Sequence, residues 1–464
     1  MKVKNKKTFF FILTLICANI KAQQNLLLNY KNYGELVLKY NPIANAAENY
    51  KEIGKARLKA ARGNYDPNIE GVYENKYFND KLYYNVGNAQ IKQPIFTSQY
   101  IKAGYEIGQG NFINPENYTP SYGLPYIGVE ASLLQGLVFD KRRAEVIKGK
   151  FYKQYYNSER QIILNDILYS SSITYMELLY YKKLLNLNSF FFSIAKDRNE
   201  GLKVLSIAGE RPAVDTIEAN IFLQSRQLDL QAAEIELIKN KNDVLTYINQ
   251  ESESGLQINP MDSLDEYFTS ALGYFGKWKQ TDSVTNPQIQ QYFAKQGILE
   301  TEARLRKEQI KPKLDVGYNF LSDNFNNNSF SLNAYKWNAT LSFPLFLRNP
   351  RNEFKIAKLV AVNNEYELVN KKNQINYKRK IILETGAIIA KQIINADASA
   401  KYSKMLLEAE KLKFENGESS LFMVNSRESK WLETEIKLAE YKLKFVKLVL
   451  QGIYNDGRLE YDLN

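Results

Sequence analysis

Apolar residues recur along this chain with two periods, a heptad-like one over long stretches and a strict alternation over short ones. Ile375, Ile382, Ile389 and Ala396 follow one another every seven residues, with Ile393 and Ala400 interleaved and charged residues between. That spacing predicts helices packed side by side along their length rather than wrapped round a compact core. Proline placement agrees. None stands between Pro125 and Pro212 or after Pro350, and an interior proline would remove a helix hydrogen bond and clash with the preceding turn. Helices are therefore predicted over 140–206 and 352–414, each roughly 100 Å long at about 1.5 Å per residue. Both end at glycine, in Ile207-Ala208-Gly209-Glu210-Arg211-Pro212 and Glu415-Asn416-Gly417-Glu418-Ser419-Ser420. Glycine supplies the left-handed residue that closes a helix, and Pro212 can only begin a helix or a turn. Returning amphipathic helices are predicted over 213–248 and 419–453, giving two long antiparallel hairpins with tips at Gly209 and Gly417.

The alternating stretches predict strands. Pro312–Phe320 and Trp337–Leu345 switch between apolar and polar at every residue, with a polar loop from Ser322 to Asn328 between them. Asn68–Phe78 and Tyr126–Leu134 hold the same places earlier in the chain. Two strand pairs make four strands. A transmembrane strand shows this alternation, apolar toward lipid and polar toward a lumen, with aromatic residues near the interfaces. A half-buried hairpin shows it too, so the pattern alone leaves both open.

These elements occur twice. Asn41-Pro42 returns as Asn286-Pro287 and Pro67 as Pro312, both 245 residues on. Ala131–Leu134 then matches Leu341–Pro344 at an offset of 210, and Gly209-Glu210 matches Gly417-Glu418 at 208. The offset drops once, so the first copy carries extra residues, which fall around Gly87–Tyr122 and are rich in Gly, Asn, Pro and Tyr. They are expected to extend the strands or to form an outer loop. A unit this long is no solenoid repeat. The expected organisation is a leader over 1–22, a first repeat over 23–254, a linker over 255–285, a second repeat over 286–456 and a tail over 457–464.

Composition narrows the function. Lys2, Lys4, Lys6 and Lys7 precede an apolar run from Phe9 to Ala18, and Ala22 offers a small residue before Gln23. This reads as a secretory signal, too short for a membrane-spanning helix. A lipoprotein signal ending at Cys17 is the rival, although Ile16 is bulky where a small residue belongs. The leader carries five lysines and no acids, so its removal leaves 57 basic against 51 acidic residues, a net charge of +6. The basic residues, such as Lys371-Lys372 and Lys378-Arg379-Lys380, read as solvated helix faces rather than a nucleic-acid footprint. The chain has no histidine, and its one cysteine is Cys17. Histidine-based catalysis, thiolate nucleophiles, His/Cys metal sites and disulfides are thereby excluded from the mature chain. It also lacks a phosphate-cradling glycine motif; carboxylate-only catalysis stays open, although the acids are scattered along helices and read as surface charge.

After the leader no stretch reaches 18 apolar residues, so a membrane crossing would have to be a closed β-barrel. Four strands cannot close one. Several chains would have to share it.

The order and spacing of these features resembles the TolC-like outer-membrane efflux protein family of Gram-negative bacteria, over nearly the whole chain after the leader. The likeness rests on the duplication, the Asn-Pro openings, the strand starts at Pro67 and Pro312, and the glycine tips. Gly209–Ala219 looks most like the family's first tip motif. The resemblance implies an α+β membrane protein that forms a homotrimer. Each protomer would give four β-strands to a shared twelve-stranded barrel in the outer membrane, which its helical hairpins continue as an α-helical tunnel in the periplasm. It implies no enzyme activity and no cofactor. It also implies docking on a periplasmic adaptor (membrane fusion) protein and an inner-membrane pump or ABC transporter. On that analogy Gly209, Glu210, Arg211, Pro212, Val214, Gly417, Glu418, Ser419, Ser420 and Leu421 contact the adaptor. Family members close the tunnel with acidic side chains near the tips. Asp215 stands six residues after its glycine, but Met423 takes the matching place in the second repeat. Asp215, Glu210 and Glu418 remain as constriction candidates, although Glu210 and Glu418 equally suit the positive end of the return helix. The rival reading is an exported periplasmic coiled-coil structural or adaptor protein without a pore.

Overall fold

The computed structural model describes residues 25–95, 98–248, 257–278, 286–322 and 330–458. The leader lies outside them, as do both ends of the expected linker, most of the 322–328 loop and most of the tail. In chain order the first half comprises β1 (Asn25–Leu28), α1 (Tyr30–Tyr40), α2 (Pro42–Gly63), β2 (Asn68–Phe78), β3 (Lys81–Pro94), β4 (Gln99–Gln109), β5 (Leu124–Ser132), α3 (Lys141–Ile207) and α4 (Ala213–Ile248). There follow β6 (Gln257–Pro260), α5 (Leu264–Lys277), α6 (Pro287–Glu308), β7 (Lys313–Ser322), β8 (Phe330–Ser342), α7 (Arg348–Glu415) and α8 (Leu421–Asn455). The chain divides into two compact units, each drawing on both repeats. One holds the residues up to Ala47, Gln161–Asn286 and Gln374 onward; the other holds Glu48–Arg160 and Pro287–Asn373.

The long helices are as the proline gaps predict, at 67 and 68 residues. Along α7 the residues Ala361, Leu368, Ile375, Ile382 and Ile389 are buried at seven-residue steps, and the stripe passes on to Ile393, Ala400 and Leu407. In the first unit Ile389, Ile393 and Ala400 join a core that includes Tyr33, Tyr175, Met176, Leu179, Val244, Phe445 and Val449. The Asn-Pro pairs gain a structural reason here. Each proline opens a helix, where its missing N–H costs nothing. Asn41 Nδ2 donates to the Tyr247 carbonyl (3.0 Å) and Asn286 Nδ2 to the Asn455 carbonyl (2.9 Å), so equivalent asparagines tie down the ends of the two return helices. Within the expected linker, α5 begins with a capping box between Ser263 and Glu266. Its Phe275 and Trp278 rings lie where a Cβ on Gly386 of α7 or Gly452 of α8 would sit.

The second unit contains a six-stranded antiparallel sheet in the order β2-β3-β4-β5-β7-β8. This corrects the expectation of four strands in the chain. The extra residues of the first repeat form an added hairpin, β3 and β4, inserted between β2 and β5. Asn79 and Asp80, at φ 51° and 56°, make the two-residue turn from Phe78 to Lys81. Left-handed backbone at both turn positions matches the strand twist, and Asn and Asp tolerate it best after glycine. The strand β5 pairs with β7 and so joins the repeats across nearly 200 residues.

Candidate membrane face and hairpin tips

Side chains alternate across a sheet, so aligned residues on neighbouring strands share a face. Through the observed registers, Ile69, Ile91, Ala103, Ile127, Phe320 and Tyr335 form one row across all six strands. The adjacent row, one residue away on each strand, is Asn68, Lys92, Lys102, Gly128, Asn319 and Lys336. One face is thus mainly apolar, with Asn75, Asn85, Gln93, Gln99 and Gln109 as polar exceptions toward its ends. Beyond the first row it carries Ile101, Val129, Tyr318 and Trp337 in one line, and Val316, Ala339, Leu314 and Leu341 beyond that. Ile69, Ile91, Ile101, Ile127, Val129, Tyr335, Trp337 and Leu341 are all exposed in the single chain. Tyr318 stacks on Tyr335 at 5.6 Å and meets Phe320 at 4.8 Å, toward the end of the sheet where β7 and β8 are joined.

The opposite face is held by polar contacts. Glu130 on β5 binds Lys92 on β3 (3.0 Å) and Lys102 on β4 (3.7 Å), and Lys336 on β8 reaches Glu106 on β4 (3.3 Å). The Tyr126 ring crosses over Gly104, and its hydroxyl bonds Asn88 (3.1 Å) and Gln90 (3.0 Å) on β3. A Cβ at Gly104 would stand 2.5 Å from that hydroxyl, which is why this position has no side chain. Sequence reasoning missed β3 and β4, although Ile101-Lys102-Ala103-Gly104-Tyr105-Glu106-Ile107 alternates as regularly as the strands it found.

Both hairpin tips close in the same way. Gly209 and Gly417 adopt φ of 77° and 78°. Their amides bond Ser206 O and Phe414 O at 3.1 Å, while the amides of Glu210 and Glu418 bond Leu205 O (2.9 Å) and Lys413 O (2.8 Å). That double pattern satisfies the last helix carbonyls and needs a left-handed residue. The two tips meet: Arg211 Nη2 donates to the Phe414 carbonyl at 3.0 Å, and its guanidinium lies 4.4 Å from the Phe414 ring centre. Leu421 is 1 % exposed, packed with Leu202, Ala219 and Phe414, so it supports the tips from inside. Gly209, Glu210, Pro212, Val214, Gly417, Glu418 and Ser420 are exposed, and Arg211, Ser419 and Asp215 are half-buried. Ser420 caps α8 through the Met423 amide. Ser419 donates to Glu410 and, with Arg427 at 3.6 Å, holds that carboxyl below its ordinary range. Exposed Ile207 (88 %) and Phe422 (66 %) add apolar surface beside these residues.

Two buried polar clusters escaped the sequence reading because each joins residues remote in the chain. Behind the tips, Arg198 on α3 pairs with the fully buried Glu428 on α8 and donates to Asn425 at 2.6 Å, while Asn425 donates to Glu218 on α4 at 3.3 Å. In the core, Asp262 accepts from the Tyr30 amide (2.8 Å) and from the hydroxyls of Tyr175 (2.9 Å) and Tyr267 (2.8 Å). Burial, reinforced by the Asp262 carboxylate, pushes both phenols well above their ordinary pKa. These hydroxyls act as fixed donors.

No protein-family model and no curated protein sequence matches the chain. Solved structures do. The Campylobacter jejuni CmeC outer membrane channel is 14 % identical, with 93 % of this chain and 86 % of that one covered at a TM-score of 0.63. The outer membrane protein VceC of Vibrio cholerae is 12 % identical, covering 92 % and 96 % at 0.63. The Neisseria gonorrhoeae MtrE outer membrane channel in its open state is 13 % identical, covering 94 % and 90 % at 0.61. Over nearly its whole described length, this chain has the TolC-like fold of outer-membrane efflux channels.

Proposed function

We propose that the protein is the outer-membrane channel subunit of an export system, a passive duct without chemistry of its own. The observation that carries this reading is the two-faced sheet. An apolar face shared by six strands suits lipid, a charged face suits a watery lumen, and sheet edges left open in hydrocarbon cost several kcal/mol per unsatisfied backbone group. Sibling copies therefore have to close the wall, and a homotrimer is the assembly that the TolC-like resemblance supports. A second feature supports siblings. Along α4, Val214, Ile217, Ile221, Leu228, Ile235 and Ile238 form an exposed apolar stripe at helical spacing, the pattern of a helix face awaiting a partner helix.

In this reading the helical hairpins line a periplasmic tunnel. The tips dock on a periplasmic adaptor served by an inner-membrane transporter, which supplies energy and direction. Exposed Ile207, Val214 and Phe422 give the adaptor an apolar anchor beside Glu210 and Glu418. Asp215, Glu210 and Glu418 are the acidic candidates for a constriction there. Purified from outer membranes, the protein is expected to run as a heat-sensitive trimer in detergent and to conduct ions across planar bilayers. A soluble, non-conducting monomer would overturn the proposal and favour a periplasmic coiled-coil protein. Glu418→Lys and Gly417→Val should abolish export while the trimer persists; normal export by both would refute tip docking.

A further inference from the structure

Building on the trimeric channel just proposed, we infer that the inserted hairpin β3–β4 is barrel wall, so that three copies close a barrel of eighteen strands. Continuity of pairing is the first ground. The hairpin is hydrogen-bonded along its length to β2 on one side and β5 on the other, with no break in the ladder between β3 and β4. A hairpin lying on the outside of a completed wall would leave β2 and β5 to pair with each other. They do not.

The second ground is facing. Ile91 on β3 and Ile101, Ala103, Tyr105 and Ile107 on β4 lie on the same face as Ile69, Ile127 and Trp337, while Lys92, Lys102 and Glu106 lie on the other. A one-residue slip would reverse every one of these. The third is the bracing of the polar face, where Glu130, Tyr126 and Lys336 all reach across onto the inserted strands. Gly104 leaves room for that bracing and for nothing else.

Closure then fixes the count. The outermost strands are β2 and β8. Because all five pairings are antiparallel, these two run in opposite directions. Placing β8 of one copy against β2 of the next therefore extends the same antiparallel pattern round a ring, and the ring has no edges. With strands about 4.8 Å apart and tilted about 40°, eighteen strands enclose a backbone radius of about 18 Å, against about 12 Å for twelve. The cross-section is roughly doubled. The membrane segment is thus not the narrow point for cargo, which leaves size selection to the tips and the outer loops. One such loop already leans inward: the Asn117 carbonyl occupies the space of a Cβ on Gly108, whose position in the alternation is the polar face.

The test is single-cysteine labelling of the full-length protein in outer membranes, on a Cys17→Ser background. Cysteines are placed at Ile101, Lys102, Ala103, Glu106 and Ile107, and the heat-sensitive trimer is checked for each. Positions 102 and 106 should react with a water-soluble maleimide at least about tenfold faster than 101, 103 and 107, since lipid excludes the reagent. A trimer in which all five positions react alike would overturn the wall assignment and leave the channel reading standing. Absence of a trimer would overturn the channel reading itself. Cryo-electron microscopy of the trimer counts strands independently: eighteen supports the inference and twelve refutes it.

Discussion

Ile127 occupies the middle of β5 in the apolar row that crosses all six strands, and in the single chain it is 44 % exposed. Were the sheet to face water, Ile127→Lys would be an ordinary surface substitution worth within about ±0.5 kcal/mol. In a membrane wall the same lysine would meet hydrocarbon, at a cost of about 2–4 kcal/mol per copy near mid-depth. Three copies place about 6–12 kcal/mol on the assembled barrel, comparable to the whole stability of a typical domain. The control is Asn338→Lys on β8, which adds the same side chain to the polar face beside Gly317. Both variants are compared for recovery in the outer-membrane fraction and for the temperature at which the trimer dissociates. Ile127→Lys is expected to be lost from the membrane or to dissociate well below the wild type, and Asn338→Lys to behave like the wild type. Equal assembly of the two would refute the lipid-facing assignment and the channel with it.

Other consequences concern the helical unit. Glu428→Ala strands the Arg198 guanidinium in a buried site and should cost about 3–5 kcal/mol in thermal unfolding; the double variant Arg198→Met/Glu428→Leu should recover most of that loss. Gly452→Val puts a side chain 2.3 Å from the Trp278 ring, and about 1–3 kcal/mol of destabilisation is expected from the overpacking, read from the same melts. Asp265 answers to pH. Burial raises its carboxyl pKa, but Lys442 at 2.6 Å and Lys183 at 3.3 Å outweigh burial and hold it below the ordinary range. A depressed carboxyl stabilises the fold above its unfolded-state value of about 3.9, and that contribution disappears as pH falls through the folded value. The melting temperature should therefore drop on acidification below about pH 4, and less steeply in Lys442→Gln; identical acid profiles would exclude Asp265 as a contributor.

Much of this architecture is written locally. The proline-free stretches and the seven-residue apolar spacing on α7 locate the long helices to within a few residues, because helix formation depends on near neighbours and on one continuous buried stripe. The tips are legible for the same reason: a glycine in left-handed backbone between two amphipathic runs has few other structures open to it. Alternation likewise announces β2, β7 and β8 one strand at a time.

What the sequence did not determine is everything that joins distant residues. The inserted residues carry glycines and prolines that resemble a loop; only pairing with β2 and β5 shows that Lys81–Pro94 and Gln99–Gln109 are strands of the sheet. The contact of β5 with β7, the Arg198–Glu428 pair and the burial of Leu421 beneath the tips are settled by tertiary packing alone, across some 180 to 230 residues. Period and turn chemistry act over a few residues and so can be read from the chain. Which strand lies beside which depends on hydrogen bonds and excluded water across the whole molecule, and these exist only once it has folded.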